Sequence, residues 1–289
     1  MGVRRLILIP LGLVALGLAI ALAGCGGDGG TAATAPRPST PAQQQASSAL
    51  DKAPDLDRSL RAFSAHMTDE MQAFWRKALR GSKFRYQPMR LVITEQGADT
   101  ACDFVAEAAY CPDDRTMVIA LPFMRDELVG GDDTGRNDGA VAAVLAHEFA
   151  HHLQAITGID ERLYRIELRD PETANVISVV RELHADCIAG SWLGMIARDR
   201  RVSQDDVEEI MGMLSRIGAD SLAKSLGQEQ DWTQYTHGTA WLRKQWFLEG
   251  FENRNRARGC AAIMSDFYQG MLVQALMRDL GKRTTAPAS

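Results

Sequence analysis

The sequence predicts an α+β domain in which helices dominate and a small β-sheet region lies toward the N-terminal side. Three observations carry this. Apolar residues recur at helical spacing in Asp57–Arg80 and through most of the chain after Asp138. Only two stretches, Arg90–Thr94 and Thr116–Leu121, read as strands, and both precede those later helices. The composition, 46% hydrophobic and 24% charged, is that of an ordinary folded domain. A net charge of −5 leaves no basic excess for neutralising phosphates, so no nucleic-acid partner is expected.

The chain opens with two arginines in Met1–Arg5, followed by an almost wholly apolar Leu6–Ala23. A basic start before an apolar run is a secretory signal. It ends in Leu22-Ala23-Gly24-Cys25, similar to a bacterial lipobox, with Cys25 as the expected lipidation site. An uncleaved membrane anchor is the alternative, since the run approaches spanning length. The Gly-Gly-Asp-Gly-Gly that follows Cys25 favours a tether. Both readings place the rest of the chain outside the cytoplasm, in the cell envelope. Residues 25–55 hold prolines at 36, 38, 41 and 54 and little to bury, as expected of a flexible tether. The organisation read from the sequence is therefore a signal over 1–24, a tether over 25–55 and one folded domain over 56–283.

Within that domain the first helix carries apolar residues at 60, 63, 67, 71, 74, 75 and 79 and stops at Gly81. The two strands follow, with Cys102 and Cys111 between them. From Asp138 onward strand signals vanish, and helices are expected at 138–156, 159–168, 172–199, 204–215, 233–250 and 258–280. Ser203 with Asp205 and Asp206 marks a helix start.

His147-Glu148-Phe149-Ala150-His151 is the strongest chemical signal. Histidines at i and i+4 project from one helix face, so both imidazoles can reach one ion, and Zn²⁺ is the expected cofactor. The glutamate after the first histidine can take a proton from a water beside that ion, which makes Glu148 the candidate general base. The run Ala140–Ala146 points to a buried helix. His152 lies off the two-histidine face and reads as a packing or supporting histidine.

A catalytic zinc needs a third protein ligand. A glycine and a third histidine continuing the motif are absent, since Gln154 and Thr157 stand there. Glu182 and Asp186, at i and i+4 on a face of small and apolar residues, would repel each other and be poorly solvated. A cation and a histidine N–H would relieve both, so Glu182 is assigned as third ligand and Asp186 as acceptor for a zinc-bound histidine. His184 faces nearly the other way. His237, near a helix start, is either a donor to a developing oxyanion, a role Tyr235 could share, or part of a capping turn. Arg243, Trp246 and Phe247 read as packing around that helix.

Three blocks in order carry a resemblance: His-Glu-Phe-Ala-His-His-Leu-Gln at 147–154, Glu-Leu-His-Ala-Asp-Cys-Ile-Ala-Gly at 182–190, and Thr-His-Gly-Thr at 236–239 with Arg243 and Trp246-Phe247. Cys111-Pro112-Asp113 and the Ile-Gly-Ala-Asp ending at Asp220 also fit. Over roughly 85–265 the chain resembles the bacterial neutral zinc metallopeptidases. The resemblance implies a zincin-like metallopeptidase domain of the glutamate type, which supports Glu182 as ligand, and a peptide or protein substrate. This chain departs from the family at His184, where Gln is usual, and at Ala219, where a second Asp is usual.

Outside the cytoplasm cysteines tend to pair. Cys102 and Cys111 would close a short loop between the strands. The resemblance suggests that Cys187 and Cys260 bridge the glutamate helix to the C-terminal helix. Four cysteines allow three connectivities, and the sequence leaves them open. Two functions follow as expectations: a lipid-anchored zinc peptidase, or a non-catalytic zinc-containing binding lipoprotein of the envelope. Hydrolysis of a non-peptide amide is a weaker third.

Overall fold

The computed structural model describes residues 56–129, 137–169, 171, 174–198, 202–228, 235–253, 260, 261 and 263. The expected signal, tether and lipidated Cys25 lie outside them, as does nearly all of the helix expected at 258–280.

Helix α1 (Leu56–Ala78) lays Phe63, Met67 and Met71 against the sheet and the later helices. The strands are β1 (Arg90–Thr94), β2 (Ala98–Asp99), β3 (Phe104–Val105), β4 (Ala108–Cys111) and β5 (Thr116–Ala120). One sheet has the order β1-β5-β4, with β1 parallel and β4 antiparallel to β5; β2 and β3 form a separate two-stranded ribbon. Thr-Met-Val-Ile-Ala is buried at every position, as a central strand covered on both faces must be. It ends one residue earlier than its apolar run implies, because Leu121 and Pro122 open a helical turn, α2 (Leu121–Phe123), that passes into a π-helical stretch over Met124–Val129. Strands β2, β3 and β4 were not legible. Ala108-Ala109-Tyr110-Cys111 has little strand propensity of its own, and pairing with β5 decides its state.

The helical body comprises α3 (Asp138–Ile156), α4 (Ile159–Arg169), α5 (Ala174–Ala197), α6 (Gln204–Arg216), α7 (Ala219–Ser225) and α8 (Ala240–Asn253). Ser203 caps α6 in a reciprocal capping box with Asp206. α7 was not expected. Helix α8 starts seven residues later than the 233–250 expectation. Thr239 Oγ1 accepts from Leu242 N, and Asp220 on α7 accepts from the Ala240 N–H at 2.7 Å, so the chain over 235–239 stays non-helical. Helices α3 and α5 are apolar nearly all round and form the buried centre. Cys102 pairs with Cys111, and Cys187 on α5 pairs with Cys260. Among the described residues no helix is long and apolar enough to cross a membrane.

Helices α5 and α8 meet backbone to backbone. A Cβ on Gly190 would come within 2.0 Å of Phe247 O, and one on Gly250 within 1.9 Å of Cys187 O. Gly190→Ala is therefore expected to destabilise by about 2 kcal/mol or more, because overpacking against a backbone carbonyl outweighs the roughly 1 kcal/mol gained in helix propensity. Gly212→Ala on α6 is the control: its Cβ would meet only the end of Arg216 at 3.7 Å, so propensity alone should raise stability. Urea midpoints check this, and a Gly190→Ala midpoint at or above wild type would refute the close approach.

Candidate metal centre

Helix α3 presents His147 and His151 one turn apart, α5 presents Glu182 and Asp186, and the chain entering α8 brings His237 and then Arg243. The His147 and His151 Nε2 atoms lie 3.2 Å apart. Glu182 Oε2 is 3.1 Å from His147 Nε2, and Glu182 Oε1 is 3.5 Å from His151 Nε2. A tetrahedral ion with ligands at about 2.05 Å needs ligand atoms roughly 3.3 Å apart, which this spacing matches. His147, His151 and Glu182 form a group able to hold a metal.

The far side of each ring is also occupied. Asp186 Oδ1 lies 2.8 Å from His147 Nδ1, and Gln154 Oε1 lies 2.8 Å from His151 Nδ1. With those nitrogens donating, both Nε2 lone pairs point at the Glu182 carboxylate. Three electron-pair donors facing one another need a cation between them. The charges point the same way: with both rings neutral, Arg243 alone faces the carboxylates of Asp186, Glu182 and Glu148, whose negative charge favours it. The donor set fits zinc.

Arg243 is 4% exposed and grips Asp186 with two hydrogen bonds, Nε to Oδ2 at 2.8 Å and an Nη to Oδ1 at 2.9 Å. Arg243 is therefore a buried ion-pair partner and not the packing residue its aromatic neighbours suggest. Its partner lies 57 residues earlier, which no local pattern reveals.

Ionisation follows from burial and neighbours. Burial alone would lower His147, but Asp186 and Glu182 outweigh it and push it up to about 10. Burial would raise Glu182, yet His237, His151 and His147 hold its carboxyl well below the ordinary range. Burial would likewise raise Asp186, and Arg243 and His147 hold it down. Burial pushes Glu148 up to about 7, opposed by His147, Arg243 and the Tyr110 backbone N–H.

His237 Nε2 lies 3.4 Å from Glu182 Oε2, with its side chain about one-third exposed (33%), so the structure brings it to the rim of the group. Tyr235 is buried (8% exposed) two residues before His237, in the apolar cluster that includes Leu183 and Cys187. His184 stays out of the ligand group and lies 3.0 Å from Gln154 Nε2. His152 is fully buried; its Nε2 donates to Gln87 O at 2.7 Å and its Nδ1 accepts from the Tyr110 hydroxyl at 2.9 Å, bracing β4 against α3. Trp246 and Phe247 pack in the core, as expected.

Residues 2–262 match the family described as "Putative neutral zinc metallopeptidase". Among curated proteins, the chain is 32% identical over 180 residues to the uncharacterised protein YpfJ of Escherichia coli K12, covering 60% of this chain and 61% of that one. It is 25% identical over 211 residues to the uncharacterised protein Rv2575 of Mycobacterium tuberculosis H37Rv, covering 68% and 69%. The chain thus spans about six-tenths of the length of the Escherichia coli relative. No solved structure gives a significant match.

Proposed function

Because the chain belongs to this neutral zinc metallopeptidase family, we propose that it hydrolyses peptide bonds with zinc held by His147, His151 and Glu182 and with Glu148 as general base. The observation that carries the proposal is the convergence of His147 Nε2, His151 Nε2 and the Glu182 carboxylate beside a glutamate no ligand role consumes. Bound zinc would polarise a peptide carbonyl and ease ionisation of water. Glu148 takes the proton of the attacking water and passes it to the leaving amine. His237, at the open rim, donates from Nε2 to the oxyanion. Asp186 holds His147 by Nδ1, and Arg243 holds Asp186.

Strand β4 offers a way to align the substrate. Ala120 N–H donates to Glu107 O, so by antiparallel alternation Ala109 and Cys111 turn their backbone groups toward β5 while Ala108 and Tyr110 turn theirs outward. β4 is an edge of its sheet, and the outward Tyr110 N–H meets Glu148. An extended peptide added at the Ala108 end of this edge, short of the Tyr110 N–H that Glu148 occupies, would run toward the base.

The protein acts outside the cytoplasm, anchored by a lipid on Cys25. Two disulfides among the described residues suit an oxidising compartment. Removing zinc with a chelator is expected to abolish cleavage of a denatured protein mixture, and one equivalent of zinc to restore it. Protein that holds zinc, cleaves nothing and co-purifies with an envelope protein would instead support a non-catalytic binding lipoprotein.

A further inference from the structure

We infer that Gln154 is a positioning residue that sets the tautomer of His151, through an amide whose orientation is fixed by Arg181 and His184. The inference rests on the metal centre proposed above and adds a residue to it.

The side chain of Gln154 is fully buried on α3, one turn beyond His151. Its Nε2 lies 2.8 Å from the Arg181 carbonyl oxygen. A backbone carbonyl only accepts, so the group facing it must be the amide NH₂. That contact alone decides which end of the amide is which. The second amide hydrogen is directed to His184 Nδ1 at 3.0 Å, which therefore accepts. With both hydrogens committed, Oε1 is left facing His151 Nδ1 at 2.8 Å, and oxygen can only accept. His151 must then carry its proton on Nδ1 and its lone pair on Nε2. Nε2 is the atom facing His147 and Glu182.

The anchors sit on the ligand helix itself. Arg181 immediately precedes Glu182 on α5, and His184 follows two residues later. Gln154 thus ties the two ligand-bearing helices together level with the ligands while choosing which nitrogen of His151 is free. A histidine ligand needs such a partner on its other nitrogen, and losing one commonly weakens metal binding ten- to a hundredfold. Asp186 performs this task for His147 by charge, whereas Gln154 performs it for His151 without adding charge.

The test uses the full chain. Side-chain ¹⁵N spectra of the metal-free wild type, above the range in which histidine titrates, should show His151 as the Nδ1–H tautomer. A neutral His151 carrying its proton on Nε2 would overturn the inference without any variant. Gln154→Leu should fold, mix the His151 tautomers and lower zinc affinity by about ten- to a hundredfold in competition with a chromophoric chelator. A purely structural Gln154 would lower thermal stability but leave the tautomer and zinc affinity unchanged, and that result refutes the inference. If wild type itself binds no zinc, the reading of the centre fails instead, and the tautomer measurement still decides the role of Gln154.

Discussion

Glu148→Gln is expected to lower kcat/KM for peptide hydrolysis by about 10²–10⁴-fold while leaving zinc content and fold intact. Glutamine has nearly the same shape and can still accept from the Tyr110 N–H, but it cannot take a proton from water. The wild-type carboxylate is pushed up to about 7 by burial, with His147, Arg243 and that N–H opposing. A bound divalent cation nearby pulls it lower still, since it favours the charged form. Activity should therefore fall on the acid side as Glu148 takes up its proton. The residual activity of Glu148→Gln should lack that acid limb. Rates against pH on a fluorogenic peptide library check both statements. A variant as active as wild type with its zinc retained would remove Glu148 from the mechanism.

The second large effect is expected at Arg243. Arg243→Ala leaves the carboxylate of Asp186, itself 2% exposed, with its two guanidinium hydrogen bonds gone. Breaking a buried pair from one side costs about 3–5 kcal/mol, because the partner's charge stays buried and uncompensated. Arg243→Lys keeps the charge but not the two-pronged fork, so recovery should be partial. Adding Asp186→Asn to Arg243→Ala should recover part of the loss, since no orphaned charge then remains, while zinc affinity stays low through the weakened hold on His147. Urea unfolding of wild type, Arg243→Ala, Asp186→Asn and the double variant measures the coupling. A loss below about 1 kcal/mol in Arg243→Ala would mean that the pair is not the buried clamp described here.

These two residues show how unevenly the site can be read. Glu148 is legible from spacing, because a helix turns a fixed angle per residue and His147, Glu148 and His151 lie on one helix. Glu182 and Asp186 follow from the same periodicity, with the cost of two carboxylates on an apolar face adding the demand for a cation. Arg243 and Gln154 gave no such signal. A guanidinium among aromatic residues on a helix reads as packing, and a glutamine three residues past a histidine reads as the loss of a third-histidine pattern. The role of Arg243 depends on α8 lying directly on α5, which Gly190 and Gly250 permit. The role of Gln154 depends on α5 presenting a carbonyl and His184 to α3.

The same division holds across the fold. Helical periodicity and two short apolar strand runs determined the class, the helix positions near 56–78, 138–156, 159–169, 174–197 and 204–216, and the strands β1 and β5, because the apolar spacing of each is written into its own residues. The short strands β2, β3 and β4, the helix α7 and the late start of α8 were decided by partners elsewhere in the chain: β5 for β4, and the Asp220 carboxylate for the first turn of α8. What the sequence by itself determined is which groups share a helix face. Which nitrogen of His151 is free, and that Arg243 balances the buried Asp186, only the tertiary structure decided, because hydrogen-bond partners 27 and 57 residues away set them.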